Sequence, residues 1–245
     1  MSKKTSNKKA EAQALVVEEV GSIHKIKEKH GLSQVYVIGK TEGQKKAIHT
    51  VLEHDITFLS GMAGTGKTFI ATGIGLNMIL QGKYDRLILS RPYVEAGESL
   101  GYLPGSFSNK LAPYMFPLMD ICTQLIGSAA TMELIEKGHI AVMPMAYMRG
   151  ISLHNAFVIL DESQNSSISQ MRMMLTRIGE KCKLVVTGDS EQSDLHPKDG
   201  KTNGLVDAIK RLQSVEEIGF HEMSENDCVR SAIVAKIDKL YRSGN

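Results

Sequence analysis

Short apolar runs alternate with longer stretches of mixed polarity from about Val35 onward in this 245-residue chain. Several of the apolar runs are nearly continuous, as in strands that are covered on both faces. We predict strands at residues 56–60, 87–90, 140–143, 157–160, 184–187 and 218–221. Helical patterns fill residues 44–53, 67–80, 131–137, 167–178, 204–212 and 227–241. This alternation predicts one α/β fold with a mainly parallel sheet.

Two segments interrupt the alternation. Residues 95–118 are rich in Gly, Pro and aromatic side chains, which predicts an insertion or long loop with a helix starting near Pro113. A functional loop and a plain packing loop fit this composition equally well. Residues 1–20 are rich in Lys, Ser, Ala and Glu without apolar periodicity, so we expect a flexible basic tail or a frayed helix. The folded domain is then expected at residues 21–245.

Charge and cysteine content narrow the classes of function. The formal net charge is +2, so any basic surface for nucleic acid must be local. The three cysteines are widely spaced and contain no CxxC pair, which argues against a disulfide framework or a zinc site. No apolar segment follows the N-terminus as in a signal peptide, and no run of 18 apolar residues occurs. We therefore expect a cytoplasmic protein without a membrane segment.

A glycine-rich block directly follows the first predicted strand and fits the pattern GxxxxGK[ST]. Its glycines let backbone N–H groups point at phosphates, and the N-terminus of the next helix favours negative charge. Lys67 would reach the β- and γ-phosphates, and the Thr68 hydroxyl would ligate Mg²⁺. A glycine-rich turn that binds nothing is the alternative. The ATP-binding residues predicted from this block are Gly61, Met62, Ala63, Gly64, Thr65, Gly66, Lys67 and Thr68.

Two acids, Asp161 and Glu162, end the predicted strand at 157–160. Unpaired carboxylates beside a buried strand are costly, so they need a metal ion or water. We predict that Asp161 binds Mg²⁺ with Thr68, and that Glu162 polarises the attacking water. The alternative is an exposed turn in which Asp161 caps the next helix. The second acid favours hydrolysis over nucleotide binding alone.

Three further residues carry weaker signals, each with an ordinary alternative. Gln44 begins a helix, where its amide could read both edges of adenine or where Thr41 simply caps the helix. Gln192 could sense the γ-phosphate or the attacking water, although residues 188–190 also fit an ordinary turn. Arg230 could supply charge to the transferred phosphoryl group, or be a solvated surface residue.

Charged and aromatic residues beyond the second strand could meet a nucleic acid. Residues 91–93 read Arg-Pro-Tyr, and the 95–118 segment contains Tyr102, Lys110 and Tyr114. Such side chains could contact phosphates and stack on bases. Core packing explains the aromatic residues at least as well.

Several blocks occur in an order that resembles the PhoH-like family. Besides residues 61–68 they are RPYVEAGE at 91–98, LGYLPG at 100–105, MAYMRG at 145–150, DESQ at 161–164 and GDSEQ at 188–192. The resemblance spans about Val35 to Leu240. It implies a three-layer P-loop NTPase with one RecA-like core, similar to the first motor domain of superfamily 1 helicases. Gln44 then corresponds to an adenine-recognising Gln, Gln192 to the helicase motif III Gln, and Arg230 to the arginine of an Asp-Val-Val-Arg segment.

This chain departs from the family pattern at several positions. Ile151 stands where Arg is usual, and Ser163 stands where the common motif has Ala. Cys228 and Ser231 change the surroundings of Arg230. Longer family members carry an N-terminal PIN nuclease domain. Because about 34 residues precede Val35, we expect no such domain here.

Together these features predict an ATPase that uses ATP and Mg²⁺ and is coupled to RNA or single-stranded DNA. The resemblance implies hexamers, and in such a homo-oligomeric ring Arg230 would complete a neighbour's site. An ATP-gated assembly or regulatory module that acts on a protein partner is the main alternative, which the balanced charge favours. A small-molecule kinase fits less well, because Asp161, Glu162 and Gln192 suit water activation.

Overall fold

The sheet has six parallel strands in the part of the chain that the structure describes. The structure is a computed structural model, and it describes residues 22–92, 107–191 and 203–229 together with Ile233 and Ile237. The strands are β1 (Ile56–Gly61), β2 (Arg86–Arg91), β3 (Ile140–Pro144), β4 (Ala156–Leu160), β5 (Cys182–Gly188) and β6 (Ile218–Met223). Their order across the sheet is β3-β2-β4-β5-β1-β6. All six predicted strands are confirmed, with small differences at their ends.

Helices cover both faces of the sheet and make three layers. The helices are α1 (22–29), α2 (Glu42–Glu53), α3 (Lys67–Leu80), α4 (Phe107–Ile126), α5 (Ser128–Glu136), α6 (Ile168–Leu175) and α7 (Gly204–Leu212). Strand residues alternate between two cores: Leu87 and Leu89 pack with α1–α5, whereas Ile88 packs with α6 and α7. The predicted three-layer α/β fold is therefore confirmed.

Capping explains where two helices begin and end. Helix α2 begins at Glu42, two residues before its predicted start, because the Thr41 side chain accepts the backbone N–H of Gln44. Ser167 caps α6 through a reciprocal capping box with Gln170. Helix α6 ends three residues before its predicted end, because the chain turns there to form a bridge between residues 153 and 178.

Three other boundaries differ from the prediction or fall outside the description. Helix α4 begins at Phe107, six residues before Pro113, and α5 begins at Ser128. The start of the 95–118 segment, the 1–20 tail and most of 227–241 lie outside the described residues. A 3₁₀ turn, Glu225–Asp227, ends at the first residue of the last range, and residues 233 and 237 within that range are helical. No single described helix is long and apolar enough to cross a membrane; by length and composition, one pair bent by 119° at residue 127 passes that test.

The carboxyl edge of the sheet collects the predicted chemistry. Leu160 pairs with Val186, and Ser60 pairs with Gly188, so the chain leaves β1, β4 and β5 at one edge. Strand β5 separates β1 from β4. Ligands of open α/β sheets bind in crevices outside these strand ends. The predicted RecA-like P-loop sheet is confirmed, and it places residues 61–68 beside Asp161.

Candidate nucleotide site

The phosphate loop lies between β1 and α3 and depends on glycine. Gly61, Gly64 and Gly66 have φ values of 128°, 86° and 90°, a region that side chains disfavour. Gly61 also packs so closely on the Met223 carbonyl that a Cβ would collide with it. No side chain caps the first turn of α3. Its backbone N–H groups and helix dipole therefore suit a bound anion.

Lys67 lies folded into this loop. Its Nζ donates to the carbonyls of Gly61 at 2.5 Å and Met62 at 2.7 Å, and lies 3.4 Å from the Thr65 hydroxyl. The side chain is 8% exposed. An ammonium group held there lies where phosphate oxygens would bind in a loop of this type.

The Asp161 carboxylate accepts four hydrogen bonds from described residues. It is 2% exposed, and its Oδ1 accepts hydrogen bonds from the hydroxyls of Thr68 and Thr187, both at 2.6 Å. Its Oδ2 accepts Arg91 Nε at 2.8 Å and Nη2 at 2.6 Å. Two of its partners come from strands on either side of β4, and the third is the predicted Mg²⁺ ligand Thr68. The structure thus brings Thr68 and Asp161 together as predicted for a shared cation.

Glu162 has a different environment from Asp161. Its backbone is left-handed with φ 51°, a strained conformation for a residue with a side chain. The side chain is 46% exposed, its Oε2 accepts Gln164 Nε2 at 2.6 Å, and Arg91 Nη2 lies 3.7 Å from its Oε1. The other end of the Gln164 amide accepts the backbone N–H of Asp189 at 3.0 Å. Glu162 is therefore oriented by neighbours and still open to water.

A cavity of about 360 Å³ joins these groups. Its lining includes Gly64, Lys67, Thr68, Asp161, Glu162 and Asp189. Asp189 is 5% exposed, and its Oδ2 is buried without a hydrogen-bond partner among the described residues. Oxygen ligands, an ammonium group and an unsatisfied carboxylate oxygen fit Mg²⁺ with a triphosphate and ordered water.

Gln44 lies beneath the phosphate loop rather than at an open surface. It is 4% exposed, and its Nε2 donates to the carbonyls of Thr65 at 3.0 Å and Asp227 at 3.4 Å. Its Oε1 accepts the backbone N–H of Lys40 at 2.8 Å. Both ends of the amide are therefore engaged within the protein. Adenine recognition by Gln44 stays a prediction, and it requires these bonds to exchange.

The chain after β6 is tied to the same loop. The Asp227 carboxylate accepts the Thr41 hydroxyl at 2.5 Å and the Gly43 N–H at 3.1 Å, and also accepts two bonds from Ser224. The hydrogen bond from the Thr41 hydroxyl contributes most to lowering the pKa of Asp227 below its ordinary value, and the bonds from Ser224 and Gly43 lower it further. Burial opposes this shift. The Val229 N–H donates to Gly64 O at 3.3 Å. Gln192 and Arg230 lie outside the described residues.

Sequence reasoning missed several members of the site. Arg91 was expected to face a nucleic acid, but its guanidinium lies on Asp161. Thr187, Gln164 and Asp189 were not singled out. All four follow or end a strand at the carboxyl edge, which was the available signal. Tyr102 and the side chains of Lys110 and Tyr114 lie outside the described part of the structure.

Comparison with known proteins identifies similar chains. The family model described as PhoH-like protein matches residues 36–242. A PhoH-like protein of Synechocystis is 44% identical over 210 residues, which is 85% of this chain and 63% of that protein. A PhoH-like protein of Bacillus subtilis is 43% identical over 206 residues, 84% of this chain and 64% of the relative. Protein PhoH of Escherichia coli is 38% identical over 207 residues, 84% and 58% of the two chains. The chain thus spans 58 to 64% of these relatives.

Solved structures with a related arrangement include two helicases. The Pyrococcus furiosus Hef helicase domain has a TM-score of 0.45 at 14% identity, covering 80% of this chain and 39% of the other. Pif1 helicase from Candida albicans has a TM-score of 0.41 at 14% identity, covering 83% and 44%.

Proposed function

This chain belongs to the PhoH-like protein family, and on that premise we propose that it hydrolyses ATP with Mg²⁺ and couples hydrolysis to single-stranded RNA or DNA. The observation that carries the proposal is the 2.6 Å contact between Thr68 Oγ1 and Asp161 Oδ1, with the half-exposed Glu162 next in the chain. A cation ligand pair beside an accessible carboxylate is the arrangement that phosphoryl transfer to water needs.

Different residues of the site bind the triphosphate, hold the cation and orient the attacking water. The phosphate loop N–H groups bind the triphosphate, and Lys67 exchanges its bonds to Gly61 and Met62 for phosphate oxygens. Thr68 and Asp161 would hold Mg²⁺, which neutralises charge on the β- and γ-phosphate oxygens when bound. Glu162 orients the attacking water, and Gln164 holds Glu162 in place.

Two residues that the structure does not describe complete the proposal. We assign Gln192 to sensing the γ-phosphate or the attacking water. We assign Arg230 to stabilising the transferred phosphoryl group of a neighbouring subunit in a hexameric ring. The Val229 N–H bond to Gly64 O supports this, because the chain just before Arg230 is coupled to the phosphate loop.

A second candidate is an ATP-gated module that acts on a protein partner without nucleic acid. Val229, Ile233 and Ile237 favour it, because these apolar side chains are 47, 62 and 47% exposed at a spacing of four residues. Exposed apolar side chains suit a protein contact. The two candidates share the hydrolytic site and differ in what stimulates it.

Phosphate release with purified protein tests the proposal. Wild-type protein is expected to release phosphate from ATP when Mg²⁺ is present, and faster with single-stranded RNA or DNA. Glu162→Gln is expected to lower kcat by about 10²–10⁴-fold while still binding ATP, because general-base assistance contributes that much. Lys67→Ala is expected to abolish nucleotide binding.

Normal turnover by Glu162→Gln would remove the role assigned to Glu162. Turnover that neither RNA nor DNA changes would favour the second candidate.

A further inference from the structure

A groove on the α6 face of the sheet lies away from the nucleotide cavity. It has a volume of about 880 Å³ and runs between the 3₁₀ turn Met145–Met148 and helix α6. Its polar lining is Arg149, Ser169, Gln170, Arg172, Thr176 and Arg177. None of these residues lines the nucleotide cavity. The groove is therefore a separate feature with its own chemistry.

Three arginines meet in this groove without acidic partners. Arg149, Arg172 and Arg177 form no ion pair within the described residues, in contrast to Arg211 on the neighbouring helix, whose Nε lies 2.8 Å from Asp207 Oδ2. The described lining contains no Asp or Glu. Arg177 Nε is buried and has no hydrogen-bond acceptor among the described residues. Buried donors without acceptors are rare in native proteins, so the groove fits an anion.

We propose that this groove binds the phosphodiester backbone of single-stranded RNA or DNA. The proposal rests on the proposed function, and it names where the strand is held. Guanidinium groups match phosphate oxygens in a planar fork, and the Ser169 and Thr176 hydroxyls and the Gln170 amide add neutral donors. The net charge of the chain is only +2, and this groove groups three arginines that have no acidic partner among the described residues. It is a local basic surface of the kind that nucleic-acid binding requires.

An acidic peptide would match the same charges, but the groove favours a backbone ligand. Six of its nine described lining residues carry charged or polar side chains, whereas the apolar groove of about 570 Å³ that could anchor peptide side chains lies across the ridge of α6. The two grooves share Ile168, Arg172 and Thr176, which form that ridge. A strand bound by its phosphates needs no such apolar pocket.

The groove is connected to the hydrolytic acids through the start of α6. Residues 163–165 form a 3₁₀ turn directly after Glu162, and Ser167 then caps α6. The Ser163 hydroxyl donates to Thr187 O at 2.7 Å, and Thr187 bonds Asp161. A nucleic-acid strand bound to Arg172 therefore contacts a helix whose start is linked to Asp161 and Glu162. This gives nucleic acid a route to influence hydrolysis.

Fluorescence anisotropy with labelled oligouridylate and oligothymidylate of about 20 nucleotides tests the groove. The variant replaces all three arginines by Gln, and Arg211→Gln is the control, since it removes one charge from the same face outside the groove. We expect the triple variant to bind at least 10-fold more weakly, with the slope of log K against log salt reduced by about 2, because each single-strand phosphate contact contributes about 0.7. Arg211→Gln should bind like wild type.

Each outcome has a separate meaning. If the triple variant binds the oligonucleotides as tightly as wild type and has the same melting temperature, the groove is not the binding site. The proposed function would then still stand. Absence of binding by wild-type protein itself would instead contradict the coupling to nucleic acid. Single Arg→Gln variants give graded losses if the groove is correct, and they separate local charge loss from misfolding of the triple variant. A change in molecular mass with unchanged oligonucleotide affinity would assign the arginines to a protein contact and also overturn the groove.

Discussion

Two buried acids follow strands at the carboxyl edge of the sheet, and each carboxylate accepts four hydrogen bonds from the described residues. Asp161 follows β4, and its donors within residues 22–92, 107–191 and 203–229 are all side chains: the Thr68 and Thr187 hydroxyls and two nitrogens of Arg91. Asp227 lies beyond β6, and two of its four donors are backbone N–H groups, from Gly43 and Ser224. Its other two donors are the Thr41 and Ser224 hydroxyls. The two carboxylates accept the same number of bonds, but the bonds to Asp161 can be exchanged more easily than those to Asp227.

Side-chain donors can rotate away when a cation arrives, whereas backbone donors are fixed by the fold. Thr68 itself is a suitable Mg²⁺ ligand, so the bond between it and Asp161 can be exchanged for two metal bonds. Around Asp227 the packing leaves no such freedom, since a Cβ on Gly43 would collide with the carboxylate. Asp161 therefore suits a changing ligand, while Asp227 is part of the framework that holds the phosphate loop.

Of the two acids, Asp161 is expected to show the larger effect, in the Asp161→Asn variant. Loss of the charge weakens Mg²⁺ binding, and a bound cation contributes several kcal/mol to charge stabilisation, so ATP turnover should fall about 10³-fold. Phosphate release across a Mg²⁺ titration measures it. Asp207→Asn is the matched control, because that acid pairs with Arg211 and does not line the nucleotide cavity, so its loss should leave turnover unchanged. Mg²⁺-dependent turnover surviving in Asp161→Asn would show that another group holds the cation.

Asp227→Asn should affect stability more than turnover. The amide places an NH₂ group where the carboxylate accepted hydrogen bonds, and a buried donor left without an acceptor costs about 1–3 kcal/mol. The midpoint of urea unfolding without nucleotide should therefore fall, while turnover at saturating ATP changes less than in Asp161→Asn. Gly43→Ala should act in the same direction through the collision described above. If Asp227→Asn lost turnover as fully as Asp161→Asn at unchanged stability, the two acids would have the same role.

The acid side of the pH–stability curve gives a smaller, sharper test. The pKa of Asp227 is lowered from an ordinary value of 3.8, mainly by the Thr41 hydroxyl. A lowered pKa in the folded state means that its stabilisation is complete above that ordinary value and is lost as pH falls through the lowered value. The difference in unfolding free energy between wild type and Asp227→Asn should thus be constant near neutral pH and shrink below about pH 4. A difference that stays flat down to pH 3 would contradict the assignment.

Local patterns in the sequence predicted the strands, the phosphate loop and the two acids, because each depends on neighbours in the chain. Asp161 and Glu162 directly follow an apolar run, and Lys67 follows its glycines. Partners distant in the chain were not predictable in this way. Arg91 lies 70 positions from Asp161, and only the order β2-β4 brings them together. No local pattern specifies that order.

Asp227 shows a second limit. In sequence it precedes Cys228 and Arg230 as an ordinary helix-start acid, and its capping box with Ser224 is a local feature. Its bonds to Thr41 and Gly43 span more than 180 positions. The prediction for Gln44 had the same weakness: the helix was predicted to within two residues of its start, but the contacts of the amide depend on how β6 pairs with β1.

The smallest expected effect, from Gln44→Ala, decides whether this residue belongs with the framework or with the ligand. Its amide supports Thr65 O and Asp227 O, so its loss should loosen the phosphate loop for any triphosphate. About 1 kcal/mol for such bonds predicts an affinity loss of about 5-fold, equal for ATP and GTP. Titration calorimetry with both nucleotides measures the ratio, and Lys45→Ala on the exposed side of α2 is the control. Misfolding would weaken the binding of both nucleotides alike. A loss of affinity for ATP alone can therefore arise only from base recognition, and it would support adenine recognition by Gln44.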